Sequence, residues 1–368
     1  MVAARMGRQR KGSTAWAVRH GLGFALASLL CATGALAAPG CRVPAGPPLA
    51  GVNIAGGEFG SARPGRLAFD YAYPSQAEID YFAAAGFRVL RVPFLGDRAV
   101  SLDGTAATLR PDDIAELDRV VDGARKRGLY VVLDLHEFGE LNGRSIGKDL
   151  AATQAFATIW QVLAKHYARR PNVIFGLMNE PHLQTPEEWL LGANAGIRAI
   201  RAAGARQLIL VPGSAWTGAH SWIGSRNGAV MTGIADPQNH FAIEVHQYLD
   251  GNSSGSSPEV IAGAGTERLA AFTDWARRNG LKAFLGEFGW PDSPAGHAEG
   301  ESMLRSMAAN GDVWLGFAYW AAGPMWGDYM FSVEPADGRD KPQMAVLKKY
   351  AVKRPKAGRG FDLNLGCK

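Results

Sequence analysis

The feature that most restricts how this chain can fold is a regular alternation of short apolar runs with amphipathic segments between Leu49 and Trp320. Eight runs read as strands, at 49–54, 87–94, 129–136, 173–178, 207–211, 241–248, 283–287 and 313–320. Val173-Ile174-Phe175 is apolar on both faces, as a strand inside a parallel sheet must be. Helical patterning lies between most of them. At 112–127, Ile114, Leu117, Val120, Val121 and Ala124 fall on one face. At 75–85, Ser75-x-x-Glu78 forms a capping box and Gly86 a stop. Strand and helix alternating in this way predict an α/β fold, a single closed (β/α)8 or TIM barrel rather than an open doubly wound sheet.

Nothing signals a second domain. No G-x-G-x-x-G or P-loop follows the first strand, and no repeat or Pro/Ser linker interrupts the pattern, so residues 38–368 are expected to form one catalytic domain. The hydrophobic fraction of 47% suffices for a large core, and 20% charged residues argue against disorder. The net charge of +5 is local. Arg5, Arg8, Arg10, Lys11 and Arg19 all precede position 37 with no acid among them, leaving the remainder nearly neutral. That excludes an electrostatic case for nucleic acid or an anionic membrane as partner. The basic head, the apolar run 21–30, short for spanning a bilayer, and Ala35-Leu36-Ala37 predict a cleaved secretory signal peptide over 1–37. The expected product is secreted, or periplasmic if retained, with no membrane attachment after cleavage. Export permits oxidation, and Cys41 and Cys367, near the two ends of the mature chain, are expected to pair as a disulfide.

In barrels of this kind chemistry collects where the strands end. The apolar run at 173–178 stops at Asn179-Glu180-Pro181, and the run at 283–287 stops at Glu287 between Leu285 and Phe288. Two strand-end carboxylates are what hydrolysis of a glycosidic bond needs, one as proton donor and one as nucleophile or base. The other ends supply Arg91, His136, Asn179, Trp216, His246, Tyr248 and Trp320. Arg91 is the expected partner holding Glu287 ionised. Tyr248, on the same side of its strand as His246, can hydrogen-bond a nucleophilic carboxylate. Trp216 and Trp320 offer flat apolar faces to sugar rings. No Cys/His, HExxH or calcium-loop spacing points to a metal, no G-x-S-x-G appears, and no cofactor is expected.

Taken in order, these residues resemble glycoside hydrolase family 5, and within it the bacterial and fungal endo-β-1,4-glucanases (cellulases). The resemblance rests on Gly51-Val52-Asn53-Ile54-Ala55-Gly56, Arg91-Val92-Pro93-Phe94, Asp134-Leu135-His136, Met178-Asn179-Glu180-Pro181-His182, His246-Gln247-Tyr248, Gly286-Glu287-Phe288-Gly289 and the stretch from Trp320 to Tyr329. It implies Glu180 as acid/base and Glu287 as nucleophile of a retaining double displacement. Arg91 and Tyr248 would steer Glu287, Asn179 would bind the hydroxyl beside the reacting carbon, and His136, His246 and Trp320 would complete the cleavage subsite. The implied partner is a β-linked glucan polysaccharide or oligosaccharide, acted on by a monomer. One departure is Glu137-Phe138-Gly139-Glu140-Leu141, where related cellulases carry Asn-Tyr after the histidine. The alternatives are a β-mannanase, a xyloglucanase or a mixed-linkage glucanase of the same family, and, from another class, an inactive secreted carbohydrate-binding barrel.

Overall fold

Strands with no polar face must be covered on both sides, by one another's inward side chains within the sheet and by helices outside it. The computed structural model of the chain, which describes residues 48–103 and 106–351, meets that demand with eight parallel strands. They are β1 (Leu49–Ile54), β2 (Val89–Phe94), β3 (Tyr130–Leu135), β4 (Val173–Gly176), β5 (Ile209–Pro212), β6 (Phe241–His246), β7 (Ala283–Glu287) and β8 (Trp314–Ala322). Each pairs with its sequence neighbours and β8 pairs with β1, closing the barrel. Among the helices are α1 (Gln76–Ala84), α2 (Pro111–Arg127), α3 (Leu150–Tyr167), α4 (Pro186–Ala202), α5 (Asn227–Val230), α6 (Ala264–Arg278), α7 (Pro294–Ala309) and α8 (Met344–Tyr350). The expected barrel is therefore the observed one. None of the described helices is long and apolar enough to cross a membrane. The expected signal peptide and the Cys41–Cys367 pair lie outside the described residues.

Inside the barrel, Val89, Val132, Ile174, Leu210, Phe284 and Ala318 form a dry plug. The larger apolar layer lies between strands and helices, where α2 buries the five residues its periodicity selects. The capping box at Ser75 and Glu78 forms as expected. Several short elements escape the patterning. The hairpin Val100–Asp103/Ala106–Leu109 and the hairpin Glu140–Leu141/Arg144–Ser145 have strands of four and two residues, too short to show a period. Helix α8, which buries Met344, Val346 and Leu347, escapes it too.

One irregularity matters for chemistry. Pairing of β6 with β7 runs Val245↔Leu285 and then His246↔Glu287, skipping Gly286. Phe284 belongs to the inner plug, so strict alternation would turn Glu287 outward with Leu285. The slip at Gly286 brings it inward.

Candidate active site

Above the plug the inward faces turn polar at the carboxyl ends of the strands. Asn53 on β1, Arg91 on β2, Asp134 on β3 and Glu244 on β6 are all fully buried. Three buried charges and an amide of this kind persist only when they satisfy one another. Arg91 does the satisfying. Its Nε donates to Glu244 Oε1 at 3.0 Å, Nη1 to Asn53 Oδ1 at 2.9 Å and to Glu287 Oε1 at 3.0 Å, and Nη2 to Asn179 Oδ1 at 2.8 Å. Nη2 also lies 3.1 Å from Asp134 Oδ1. A planar guanidinium with five N–H groups can address this ring of acceptors, which a lysine cannot. Gly286 makes room for it, since an added Cβ there would stand 2.1 Å from Glu244 Oε1.

The same network sets the orientation of the next groups. Because Asn179 Oδ1 accepts from Arg91, its amide nitrogen faces His136 Nε2 at 3.1 Å. That nitrogen must accept, so the proton of His136 sits on Nδ1 and goes to Asp134 Oδ2 at 2.7 Å. Burial raises the pKa of Asp134, and Arg91 and His136 outweigh it to hold the carboxyl below its usual range.

Glu287 accepts from Arg91 on Oε1 and from the Tyr248 hydroxyl on Oε2 at 2.8 Å. Burial lifts its pKa above the ordinary value, His246 and Arg91 pull it back, and Glu180 adds to the rise. Glu180 follows β4 with φ at +42°, a left-handed conformation unusual for a side chain of its size. Its side chain is 16% exposed, at the rim of the groove. His246 lies between the two carboxylates, with Nδ1 2.7 Å from Glu180 Oε1 and 3.6 Å from Glu287 Oε2. Burial disfavours its imidazolium, but Glu287 and the hydrogen bond to Glu180 outweigh burial and push the pKa up to about 10. At neutral pH His246 is protonated and donates to Glu180. The three ligand-type atoms of Glu180, His246 and Glu287 lie within 4.8 Å of one another. Among the described residues this is the group with the geometry to hold a metal, yet its atoms are committed to a proton, to Arg91 and to Tyr248.

Two clefts meet at this center. One, of about 1040 Å³, is lined by His136, Trp320, Glu58, Phe138 and Trp216. The other, of about 630 Å³, is lined by Glu180, Trp216, His220, His246 and Ser253. Trp320 stacks near His136 with ring centers 5.8 Å apart. Trp216 is half exposed and stacks on His182 at 3.7 Å. Ala215, Trp216 and Thr217 all have positive φ, held by Trp216 N–H to the Pro181 carbonyl and Thr217 Oγ1 to the Glu244 carbonyl.

A paired carboxylate center in an aromatic-walled groove has counterparts among known proteins. The family Cellulase (glycosyl hydrolase family 5) matches residues 50–323. The chain is 37% identical over 303 residues to Endo-beta-1,4-glucanase B of Aspergillus niger, covering 82% of this chain and 89% of that one. It is 39% identical over 305 residues to Endoglucanase gh5-1 of Neurospora crassa, covering 82% and 76%. The chain belongs to glycosyl hydrolase family 5. Among solved structures, the endo-beta-1,4-glucanase Xac0029 from Xanthomonas axonopodis pv. citri aligns with a TM-score of 0.79 at 42% identity, over 83% of this chain and 98% of that one. XacCel5A in complex with cellopentaose aligns with a TM-score of 0.79 at 41% identity, over 83% and 99%.

In this family 5 glycosidase the structure brings together all nine residues singled out from the sequence. Glu180, Glu287, Arg91, His136, Asn179, His246 and Tyr248 form one connected network, and Trp320 and Trp216 line its clefts. Sequence reasoning missed Asn53, Asp134 and Glu244 in the network. Asp134 and Glu244 stand two residues before His136 and His246, so alternation carried one step back along each strand finds both. It also missed Phe138 and His182, which edge the aromatic wall with Trp216. The departure at 137–141 is built into this wall. Glu137 Oε1 accepts from Gly96 N–H at 2.8 Å and faces Arg63, and Phe138 turns into the groove at φ +55°.

Proposed function

We propose that this enzyme is a secreted endo-β-1,4-glucanase that hydrolyses cellulose-type β-glucan by a retaining double displacement. The observation that carries the reading is the Glu180–His246–Glu287 cluster, whose ligand atoms lie within 4.8 Å of one another. That closeness fits the retaining carboxyl separation of about 5–5.5 Å better than that of an inverting pair, about 6.5–9.5 Å. Glu287, aimed by Arg91 and Tyr248, attacks the anomeric carbon. Glu180 protonates the departing oxygen with a proton passed to it along the hydrogen bond from His246 Nδ1. Glu180 then takes a proton from the water that releases the glycosyl-enzyme. Asn179, fixed by Arg91 and His136, presents its amide to the hydroxyl beside the reacting carbon. The names of the relatives and the cellopentaose-bound neighbour support a β-1,4-glucan as substrate.

Rates on carboxymethyl-cellulose, barley β-glucan, xyloglucan and mannan test the substrate. Carboxymethyl-cellulose should be cut at internal bonds, with viscosity falling faster than reducing ends appear; mannan cleaved faster than any glucan contradicts the reading. Trp216, half exposed beside Glu180, is proposed as a stacking face for a sugar ring. Trp216→Ala is expected to raise KM for cellopentaose roughly tenfold with kcat little changed, the loss of one ring-on-ring contact. An unaltered KM removes Trp216 from the binding surface.

A further inference from the structure

The loop that follows β8 ends in an acid pair that the chemistry above does not use. Glu78 is the N3 residue of α1, and its Oε2 accepts from Ser75 N–H at 2.7 Å. Its Oε1 is buried and meets no donor. The side chain of Glu334 comes within hydrogen-bonding reach of Glu78. Glu334 Oε2 accepts from Gly323 N–H at 2.9 Å, immediately past the end of β8. Two carboxyls in contact, one with an unsatisfied buried oxygen, are at rest only with a proton between them. The surrounding charges are occupied elsewhere. Arg119 on α2 is engaged by Glu116 and the Pro74 carbonyl, and Tyr81 on α1 donates to Asp340, which also accepts from Lys348 on α8.

The pair sits where it bears on the site. Val333 N–H donates to the Ala321 carbonyl at 2.9 Å, so residues 333 and 334 together hold 321 and 323, the backbone that follows Trp320. The intervening loop packs Trp326 against Trp320, with ring centers 5.7 Å apart, and Phe331 against Tyr248 at 6.2 Å.

We propose that Glu78 and Glu334 share a single proton and so latch the 323–343 loop to α1, acting as positioning residues that keep Trp320 and Tyr248 in place while that proton is bound. Its bearing on activity rests on the proposed role of Trp320 as floor of the cleavage subsite. Burial and then Glu78 raise the pKa of Glu334 to about 7. A carboxyl whose folded pKa exceeds its unfolded value leaves the folded state holding the extra proton, so stability falls as pH rises from about 4.5 through about 7. Above that window two like charges face each other and the latch loosens.

The test compares wild type with Glu78→Gln and Glu334→Gln, following Tm and kcat/KM on cellopentaose from pH 5 to pH 9. Either amide still accepts through its carbonyl oxygen from its backbone donor, Ser75 N–H or Gly323 N–H, and donates its NH₂ to the remaining carboxylate, so no titrating proton is needed. Relative to wild type, both variants should lose less Tm between pH 5 and pH 8, by about 2–4 °C, a modest figure because Glu334 is only half buried. Their kcat/KM should also decline less on the alkaline side. Parallel Tm curves for all three proteins would overturn the shared proton. Divergent Tm curves with superimposable pH–rate profiles would overturn the link to the site. A wild type inactive on every glucan would defeat the proposed function instead, and the Tm comparison would still decide the proton.

Discussion

Glu287→Gln is expected to lower kcat on a soluble β-1,4-glucan by roughly ten-thousand-fold or more, the scale seen when a covalent nucleophile is removed. The fold should survive. Glutamine is isosteric, its carbonyl oxygen can still accept from Arg91 Nη1, and the inner plug below the site is untouched. What it lacks is the negative charge that, in the proposed mechanism, makes the Glu287 oxygen a nucleophile towards the anomeric carbon. A second consequence separates this variant from a mere packing defect. His246 owes its raised pKa chiefly to Glu287, so the neutral amide should bring that pKa down towards its ordinary range. Histidine ring proton shifts followed by NMR across pH would report it. Substantial turnover by the variant would mean that another group attacks.

Arg91→Met is expected to be the most destabilising single change at the site. Methionine matches the arginine stem in bulk but leaves Asp134, Glu244 and Glu287 without their shared cation, all in the barrel interior. Removing one partner of a buried pair costs about 3–5 kcal/mol, and here three carboxylates lose the same partner. Tm should fall by about 10 °C or more, read by thermal denaturation at neutral pH. Arg91→Lys should recover only part of the loss, since an ammonium keeps the charge but not the fork that also fixes Asn53 and Asn179. A variant as stable as wild type would show that the carboxylates are neutralised by protonation rather than by Arg91.

The barrel was legible because its code is redundant. Eight strands each carry the apolar pattern, and an error at one end, such as strand four continuing to Met178 when β4 ends at Gly176, changes nothing in the architecture. The catalytic candidates were legible for a related reason, since a Glu against Pro181 or between Leu285 and Phe288 has no role in packing. Other facts depend on pairing. Whether Glu287 faces in or out is decided by the slip at Gly286, which only the neighbouring strand reveals. Asp134 and Glu244 looked like parts of apolar strands because their neighbours Leu133, Leu135, Ile243 and Val245 face outward to the helices. The contact of Glu78 with Glu334 joins residues 256 positions apart and leaves no local signature. The loop at 137–141 shows the converse, an unfamiliar sequence whose place in the groove wall required Gly96, His182 and Trp216 to be seen beside it.

The central claim is that Glu287 forms a covalent bond to the sugar while Glu180 manages the proton. Incubation with an activated 2-deoxy-2-fluoro-cellobioside, which slows release more than attack, followed by peptide mass spectrometry, reads it directly. The account predicts one glycosyl group per chain, on the peptide containing Glu287, with loss of activity in step with labelling. A label on Glu180 or on any other residue, or full inactivity towards the reagent in an enzyme that cleaves cellopentaose with inversion, contradicts it.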